Sequence, residues 1–519
     1  MPATDNNLLD QLTSWYGPWD QVRAVVTGLG VSGFAAADTL VELGATVVVV
    51  DGADNEQNRG KADTLKIVGV KEVLLGEDAA HSLPEVDGQA PDLVVTSPGW
   101  RPDQPLLHAA QENGIPVFSD VELAWRVQDK FTRGDDPVDA PVWLGLTGTN
   151  GKTTTVTMAE AMLLAAGKRA IACGNVGVPV LDAIRDPARY EVLVLELSSF
   201  QLHWSDSLSF AAAAVLNLAE DHVDWHGSYQ EYVAAKAKIY ENCQIACVYN
   251  ADQPATMHLV EEADVIEGAR AIGFTTNTPA LSMFGLVDDI LVDRAFLEDR
   301  KNRALEIGTL NDFQQPPAQH MVANTLAAAA LVRAIGIAPE AVQAGIRNYT
   351  PGDHRVQLVA KAENVLWVND SKATNPHAAE ASLRGFKQVV WIAGGLSKGV
   401  DYRDLVRANA DRIAHVVMIG TDIDTLRQAL AQEAPEVTIH ETDVEEKEYD
   451  TKDLYGQAVM DRAVELADKL ATELQSDDLT VLLAPAAASM DQFTSYATRG
   501  QAFIQAVANL MESKGFNSA

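Results

Sequence analysis

Short apolar runs rich in Val, Leu and Ile recur along this chain, and between them lie longer stretches whose apolar positions return every three to four residues. The runs are RAVVT (23–27), TVVVVD (46–51), DLVVTSPG (92–99), VWLGLTG (142–148), EVLVLEL (191–197), AAAAVLN (211–217), ENVLWVND (363–370), QVVWIAGG (388–395), HVVMIG (415–420) and LTVLLAP (479–485). Short apolar runs punctuated by Gly, Pro, Asn or Asp predict buried strands. The stretches between them predict helices, among them 34–44 (FAAADTLVELG), 120–128 (DVELAWRVQ), 155–167 (TVTMAEAMLLAAG), 232–240 (YVAAKAKIY) and 324–336 (NTLAAAALVRAIG). Strands that alternate with helices imply an α/β fold of parallel sheets, because parallel neighbours need a long return connection. Two polar, proline-bearing stretches, 130–141 and 349–353, interrupt the alternation and predict three domains: 1–130, 131–350 and 351–519. Acidic segments near 285–315 and 441–454 are expected as solvated loops or surface helices.

Composition narrows the choice of partner. A chain of 519 residues exceeds what one core usually serves. With 39 Lys and Arg against 73 Asp and Glu, the net charge of −34 disfavours any unaided grip on polyphosphate backbones, so nucleic acid is not the expected partner. Cys173, Cys243 and Cys247 form neither a C-x-x-C pair nor a zinc spacing, which suits a reducing compartment. The first residues, MPATDNNLLDQ, lack a basic start and an apolar core, and no run approaches the ~20 apolar residues of a membrane span. A cytoplasmic protein without membrane insertion is expected, working as a monomer.

Gly28-Leu-Gly30-Val-Ser-Gly33 lies between a strand and a helix, and Asp51 ends the next strand. This is the spacing of a dinucleotide-binding βαβ unit, whose glycines let backbone N–H groups approach a pyrophosphate. Ser97-Pro98-Gly99 ends another strand and would face the same crevice. More specific is Thr147-Gly148-Thr149-Asn150-Gly151-Lys152-Thr153-Thr154, a glycine turn between strand and helix. Such a turn aims N–H groups at phosphates, its lysine adds a point charge, and the hydroxyl after it can hold Mg²⁺. It departs from the standard phosphate-loop motif, with five residues rather than four between Gly145 and Gly151. Glu196 closes a buried strand, where a carboxylate needs a partner that Mg²⁺ can supply. Asn217-Leu-Ala-Glu220-Asp221-His222-Val-Asp224-Trp-His226 gathers imidazoles and acids straight after another strand, which is sensible for a metal-phosphate site.

Those blocks, with ELSSFQL (196–202), Asp353-His354-Arg355 and Asn369-Asp370-Ser371-Lys372-Ala-Thr374-Asn375, resemble the signature blocks of the Mur ligases. The blocks run in the expected order from Gly28 to Arg499, nearly the whole chain. ELSSFQL, NDSKATN and the initial GLGVSG are most similar to the branch that joins D-glutamate to UDP-N-acetylmuramoyl-L-alanine in peptidoglycan precursor synthesis. The resemblance implies a Rossmann-like N-terminal domain for the UDP moiety, a central P-loop ATPase-like domain and a C-terminal dinucleotide-fold-like domain for the amino acid. It implies ATP as co-substrate, Mg²⁺, and an acyl-phosphate intermediate.

Site residues follow from the same resemblance. Gly30, Ser32, Asp51, Ser97, Gly99, Asn175, Gln201 and His222 would hold the UDP substrate. ATP would fall to Gly148, Thr149, Asn150, Gly151, Lys152, Thr153 and Thr154, with Asn324, His354, Arg355 and Asp370. Thr374, Lys398, Ser489 and Tyr496 would bind D-glutamate. Lys152, Glu196, His222, Lys236 and Lys372 would be catalytic, and Thr153, Glu196, His222 and Lys236 would serve the metal. Read by pattern, Lys236 is a lysine on a helix surface; the resemblance instead implies a carbamate there, an anion able to face a hard cation. Lys238 is the neighbouring alternative, on another side of the helix. Met321 stands where the family commonly has asparagine, and Tyr496 where better-known members have phenylalanine.

Three other readings explain less. Folylpolyglutamate synthase, of the same superfamily, would lack the N-terminal UDP domain. A dehydrogenase rests on Gly28-x-Gly30-x-x-Gly33 alone, and a P-loop switch module needs neither NDSKATN nor three domains.

Overall fold

The computed structural model describes residues 6–134, 136–314, 317–350, 352, 354–362, 364–397, 400–474, 476 and 478–515. Among these the strands form three sheets. The first contains β1 (Arg23–Thr27), β2 (Thr46–Asp51), β3 (Glu72–Leu75), β4 (Leu93–Thr96) and β5 (Val117–Ser119), all parallel, in the order β3-β2-β1-β4-β5. Strand order reverses between β1 and β4, and a crevice for ligands opens at such a switch point. The glycine turn follows β1 and Ser97 follows β4, so both sit at that end.

The second sheet takes β6 (Val142–Thr147), β7 (Ala170–Gly174), β8 (Val192–Glu196), β9 (Ala212–Val215), β10 (Ala246–Asn250), β11 (Arg270–Phe274), β12 (Met283–Val287), β13 (Ile290–Asp293) and β14 (Leu305–Thr309). Its order is β14-β13-β12-β11-β10-β9-β6-β8-β7. Strand β6, which carries the phosphate-loop motif, is central, with β8 and β9 parallel on either side. The acidic segment 285–315, expected as loop or surface helix, also contributes strands to the sheet edge: β12 pairs parallel to β11, and β13 and β14 follow as antiparallel neighbours, with turns between them. Counting charges hid the short apolar runs of MFGLV and ILVD. Asp293 within it is fully buried, and Arg333 lies 3.0 Å from its carboxylate. The other acidic segment, 441–454, holds the short helix Glu446–Glu448 and is largely exposed, as expected.

The third sheet joins β15 (Gln357–Ala362), β16 (Val365–Asn369), β17 (Gln388–Ala393), β18 (Ile413–Met418), β19 (Thr438–Glu441) and β20 (Leu479–Leu483) in the order β15-β16-β20-β17-β18-β19. Only β15 runs antiparallel to its neighbour.

The chain packs as two compact units, Met1–Pro316 with Met321–Tyr349, and Pro317–His320 with Thr350–Ala519. The first unit holds the first two sheets. Their cores are continuous: Leu40, Val47 and Val49 share one apolar cluster with Leu181, Leu193 and Leu195. Arg185, on the helix Val180–Arg185, adds ion pairs to Asp38 at 2.6 Å and Glu42 at 3.3 Å. Stretch 130–141 therefore links two sheets inside one unit.

Candidate active site

In the turn after β1, Gly28 has φ +89°, a conformation that side chains rarely adopt. A Cβ on Gly33 would lie 1.9 Å from the Gly28 carbonyl oxygen, so this close crossing of turn and helix requires glycine. Gly30 caps the helix Val31–Glu42 and has open space beside it, leaving its backbone accessible to a ligand. Asp51 fixes the turn from the end of β2: its carboxylate accepts from the Leu29 N–H at 2.6 Å and the Ala53 N–H at 2.8 Å. Among the described residues the buried Ser97 hydroxyl makes no hydrogen bond, although it lies against Gly28. A buried hydroxyl without a partner suits a ligand-facing position. Gly99 stands in open space.

The second glycine turn is held from below. Asn217, in the loop after β9, accepts from the Thr149 N–H through its carbonyl at 3.1 Å and from the Asn150 N–H through its side chain at 2.8 Å. The Thr149 and Tyr232 hydroxyls are 2.8 Å apart. Gly151, at φ +80°, opens the helix Lys152–Ala165, and a Cβ there would come within 2.5 Å of the Asn324 side-chain oxygen. Lys152 Nζ curls back to donate to the Gly148 and Thr149 carbonyls at 2.8 and 3.0 Å. Thr154, the next hydroxyl but one, is buried.

Glu196, only 2% exposed at the end of β8, accepts from the Thr153 hydroxyl at 2.6 Å and the Asn175 side-chain amide at 3.2 Å. A hydroxyl and a buried carboxylate are hard oxygen donors of the kind that fits Mg²⁺. No group of three His, Cys, Asp or Glu side chains gathers among the described residues, so phosphate and water oxygens would have to complete the coordination, as is usual for this ion.

Lys236 is 2% exposed, contrary to the surface position its pattern suggests. Its Nζ donates to the Thr147 hydroxyl and the Gly148 carbonyl, each at 3.1 Å, and lies 4.7 Å from the Tyr232 ring centre. Burial, and then the nearby Lys152 charge, hold this amine well below its ordinary pKa. Lys238 points elsewhere, to Asp206 at 2.7 Å. His222 has φ +52° and sets its ring edge-on to Phe200, with Asp221 3.5 Å away.

Gln201, expected on the substrate, has its side chain turned inward. Its side chain is 1% exposed and committed at both ends: its oxygen accepts from the Ser198 N–H and hydroxyl, and its amide donates to both Asp120 oxygens at 3.1 and 3.3 Å.

In the second unit, the His354 ring lies against Gly500 and is bonded to Asn369 at 2.9 Å. Asp370 is buried, accepts from the Ser382 hydroxyl and the Val356 N–H, and is pushed up to about 6 by burial, against the pull of those bonds and of Arg355. Lys372 Nζ lies 4.0 Å over the Tyr496 ring, so the departure from phenylalanine keeps an aromatic face under a cation. Ser489 is buried and Thr374 half-buried. Lys398 lies outside the described residues. Arg499, given no role by the motifs, is fully buried and donates to the Ser371 hydroxyl and carbonyl and to the Ala487 carbonyl, holding the segment around Lys372. Asp120 also escaped the motifs; the one signal for both was a charged residue inside an otherwise buried pattern.

A phosphate-binding turn over an acid-hydroxyl pair, beside a separate dinucleotide-type crevice, defines an enzyme that uses a nucleoside triphosphate on a nucleotide-linked substrate. Family models match in three places: the Mur ligase middle domain over 146–332, the Mur ligase glutamate ligase domain over 354–486 and the MurD-like N-terminal domain over 22–119. The chain belongs to the Mur ligase family, and its N-terminal match lies in the MurD-like branch. It is 50% identical over 518 residues to the UDP-N-acetylmuramoylalanine--D-glutamate ligase of Leifsonia xyli subsp. xyli, covering 98% of this chain and 96% of that one. It is also 50% identical to the ligase of that name from Streptomyces avermitilis, over 96% of this chain and all of the other. Among solved structures, MurF from Acinetobacter baumannii matches with TM-score 0.57 at 16% identity over 97% of this chain and 98% of that one. MurC from Thermotoga maritima matches with TM-score 0.52 at 17% identity over 94% and 100%. These two share the fold. No helix among the described residues is long and apolar enough to cross a membrane.

Proposed function

We propose that this Mur ligase joins D-glutamate to UDP-N-acetylmuramoyl-L-alanine with ATP, in the synthesis of peptidoglycan precursors. Near-full-length similarity to two D-glutamate ligases carries the reading. Domain limits of 1–130, 131–350 and 351–519, a monomer, and a cytoplasmic setting belong to it; the three free, buried cysteines suit a reducing compartment.

A carboxylate does not react with an amine near neutral pH until it gains a leaving group. The L-alanyl carboxylate of the UDP substrate attacks the γ-phosphorus of ATP, forming a C–O–P linkage and releasing ADP. Lys152 and the N–H groups of 148–153 bind phosphate oxygens and stabilise the charge that moves onto them. Thr153 and Glu196 would hold Mg²⁺, which would supply further positive charge at those oxygens. Lys236 acts as a carbamate: its neutral amine attacks CO₂, an N–C bond forms, one proton leaves, and the side chain becomes an anion. Its low basicity favours the neutral amine that this step needs. The amine of D-glutamate, bound by Thr374, Lys398, Ser489 and Tyr496, then attacks the acyl carbon, and phosphate departs as the amide forms. Lys372, His354, Arg355, Asp370 and Asn324 serve the nucleotide and the transferred group.

Incubation with ATP, UDP-N-acetylmuramoyl-L-alanine and single amino acids, read by phosphate release, tests the reading. D-Glutamate alone should support rapid release; equal release with L-glutamate, or none with any amino acid, would overturn it.

A further inference from the structure

We propose that Asp120 is a positioning residue of the UDP-substrate site, holding the Ser32 hydroxyl and the Gln201 amide in one orientation across the seam between the first two sheets. The inference rests on the reading of the Gly28–Gly33 turn as that site. Asp120 is 1% exposed and opens the helix Asp120–Arg126 just after β5. Gln201 donates to both its oxygens, and the Ser32 hydroxyl lies near enough to favour its charged form. Because the Gln201 oxygen is committed to Ser198, only its NH₂ group can face Asp120. Ser32 sits in the first turn of the helix that follows the glycine turn, and Gln201 lies five residues beyond Glu196. One carboxylate thus ties the substrate-side helix to the strand end that bears the metal-binding acid. Attack on a γ-phosphorus demands that kind of fixed relation between two bound reactants.

Its neighbour Glu122 shows what a purely structural acid looks like here. Glu122 is equally buried, pairs with Arg126 at 2.8 Å, and accepts from the Asp206 and Ser207 N–H groups at 3.0 Å each and from the Ser207 hydroxyl at 2.6 Å. It latches the same helix to the loop before β9 of the second sheet, with a cation to balance its charge. Among the described residues Asp120 has no cationic partner. Burying a carboxylate without one costs stability, so a second latch gives no reason to keep a charge there, whereas orienting two donors does.

The test compares three variants by initial rates of phosphate release and by melting temperature. Asp120→Asn turns an amide toward the Gln201 amide; by the cost of an unpaired buried donor it should raise KM for UDP-N-acetylmuramoyl-L-alanine about tenfold, with KM for ATP changed less than about twofold. Glu122→Gln should lower the melting temperature and leave both KM values near wild type. The double variant Asp120→Asn/Gln201→Glu restores donor to acceptor and should bring KM for the UDP substrate back toward wild type. An unchanged KM in Asp120→Asn, an equal KM rise in Glu122→Gln, or a double variant that regains melting temperature without regaining KM would each overturn the proposal. If Asp120→Asn does not fold, the folded double variant decides by the same KM. Calorimetric titration of the wild type with UDP-N-acetylmuramoyl-L-alanine separates the two readings: no binding removes the UDP site itself, and normal binding with an unchanged KM in Asp120→Asn removes only the role of Asp120.

Discussion

At Lys236 the chain buries an amine beside the carbonyl and hydroxyl of the phosphate-binding turn, with the Lys152 charge close enough to weaken its basicity. Placing a second cation there opposes the first, and carbamylation reverses its sign. Lys236→Ala should therefore be nearly inactive, acetate should restore part of the rate by occupying the vacated anion position, and Lys238→Ala should stay active. Steady-state rates with and without acetate check this; a fully active Lys236→Ala would remove the carbamate from the mechanism. Asp370 gives a pH prediction of definite sign. Its carboxyl is raised from 3.8 to about 6, so between these values the folded state holds a proton that the unfolded chain releases. Stability contributed by this group falls as pH rises through that window and is constant above it. In urea titrations from pH 4 to 7, Asp370→Asn should gain stability relative to wild type as pH rises. A difference that is flat or runs the other way would show that the carboxyl titrates at its ordinary value.

At the scale of elements, the helix that starts at the phosphate-binding turn is set by what packs on it. Helix Pro339–Asn348 crosses Lys152–Ala165 so closely that a Cβ on Gly345 would lie 2.5 Å from the Met162 Cα, a backbone atom that cannot step aside. Gly345→Ala should thus separate the helices and cost about 1–3 kcal/mol, with KM for ATP raised because the helix carries Lys152 and Thr153. Chemical denaturation and ATP kinetics measure the two effects; unchanged stability would mean that the pair relaxes without loss. The strand runs were legible because continuous Val and Leu mark strands buried on both faces. Less legible were β7, β10, β11 and β15, whose Ala, Gly and polar residues leave weak runs, and β12–β14, hidden by the acids around them.

At the scale of the whole molecule, the division falls after Tyr349, while the first two sheets share a core. A chain ending at Tyr349 should fold, bind UDP-N-acetylmuramoyl-L-alanine with near-normal affinity and release no phosphate in the full reaction, since Lys372, Thr374 and Ser489 lie beyond it. Calorimetry and the phosphate assay decide; a truncated chain that does not bind the UDP substrate would show that its site needs the second unit.

The order of residues alone determined the alternation of strand and helix, the two glycine turns and the identity of the residues around them. Each of those depends on neighbours in the chain: a φ that only glycine adopts readily, a run of β-branched residues, a lysine and two hydroxyls after a turn. Tertiary structure decided which side chains meet. The approach of Lys236 to Thr147, the Thr153–Glu196 pair and the Gln201–Asp120 bond join residues separated by tens of positions. Whether a lysine on a helix faces water or a buried carbonyl depends on the element packed against it, and no local pattern carries that information.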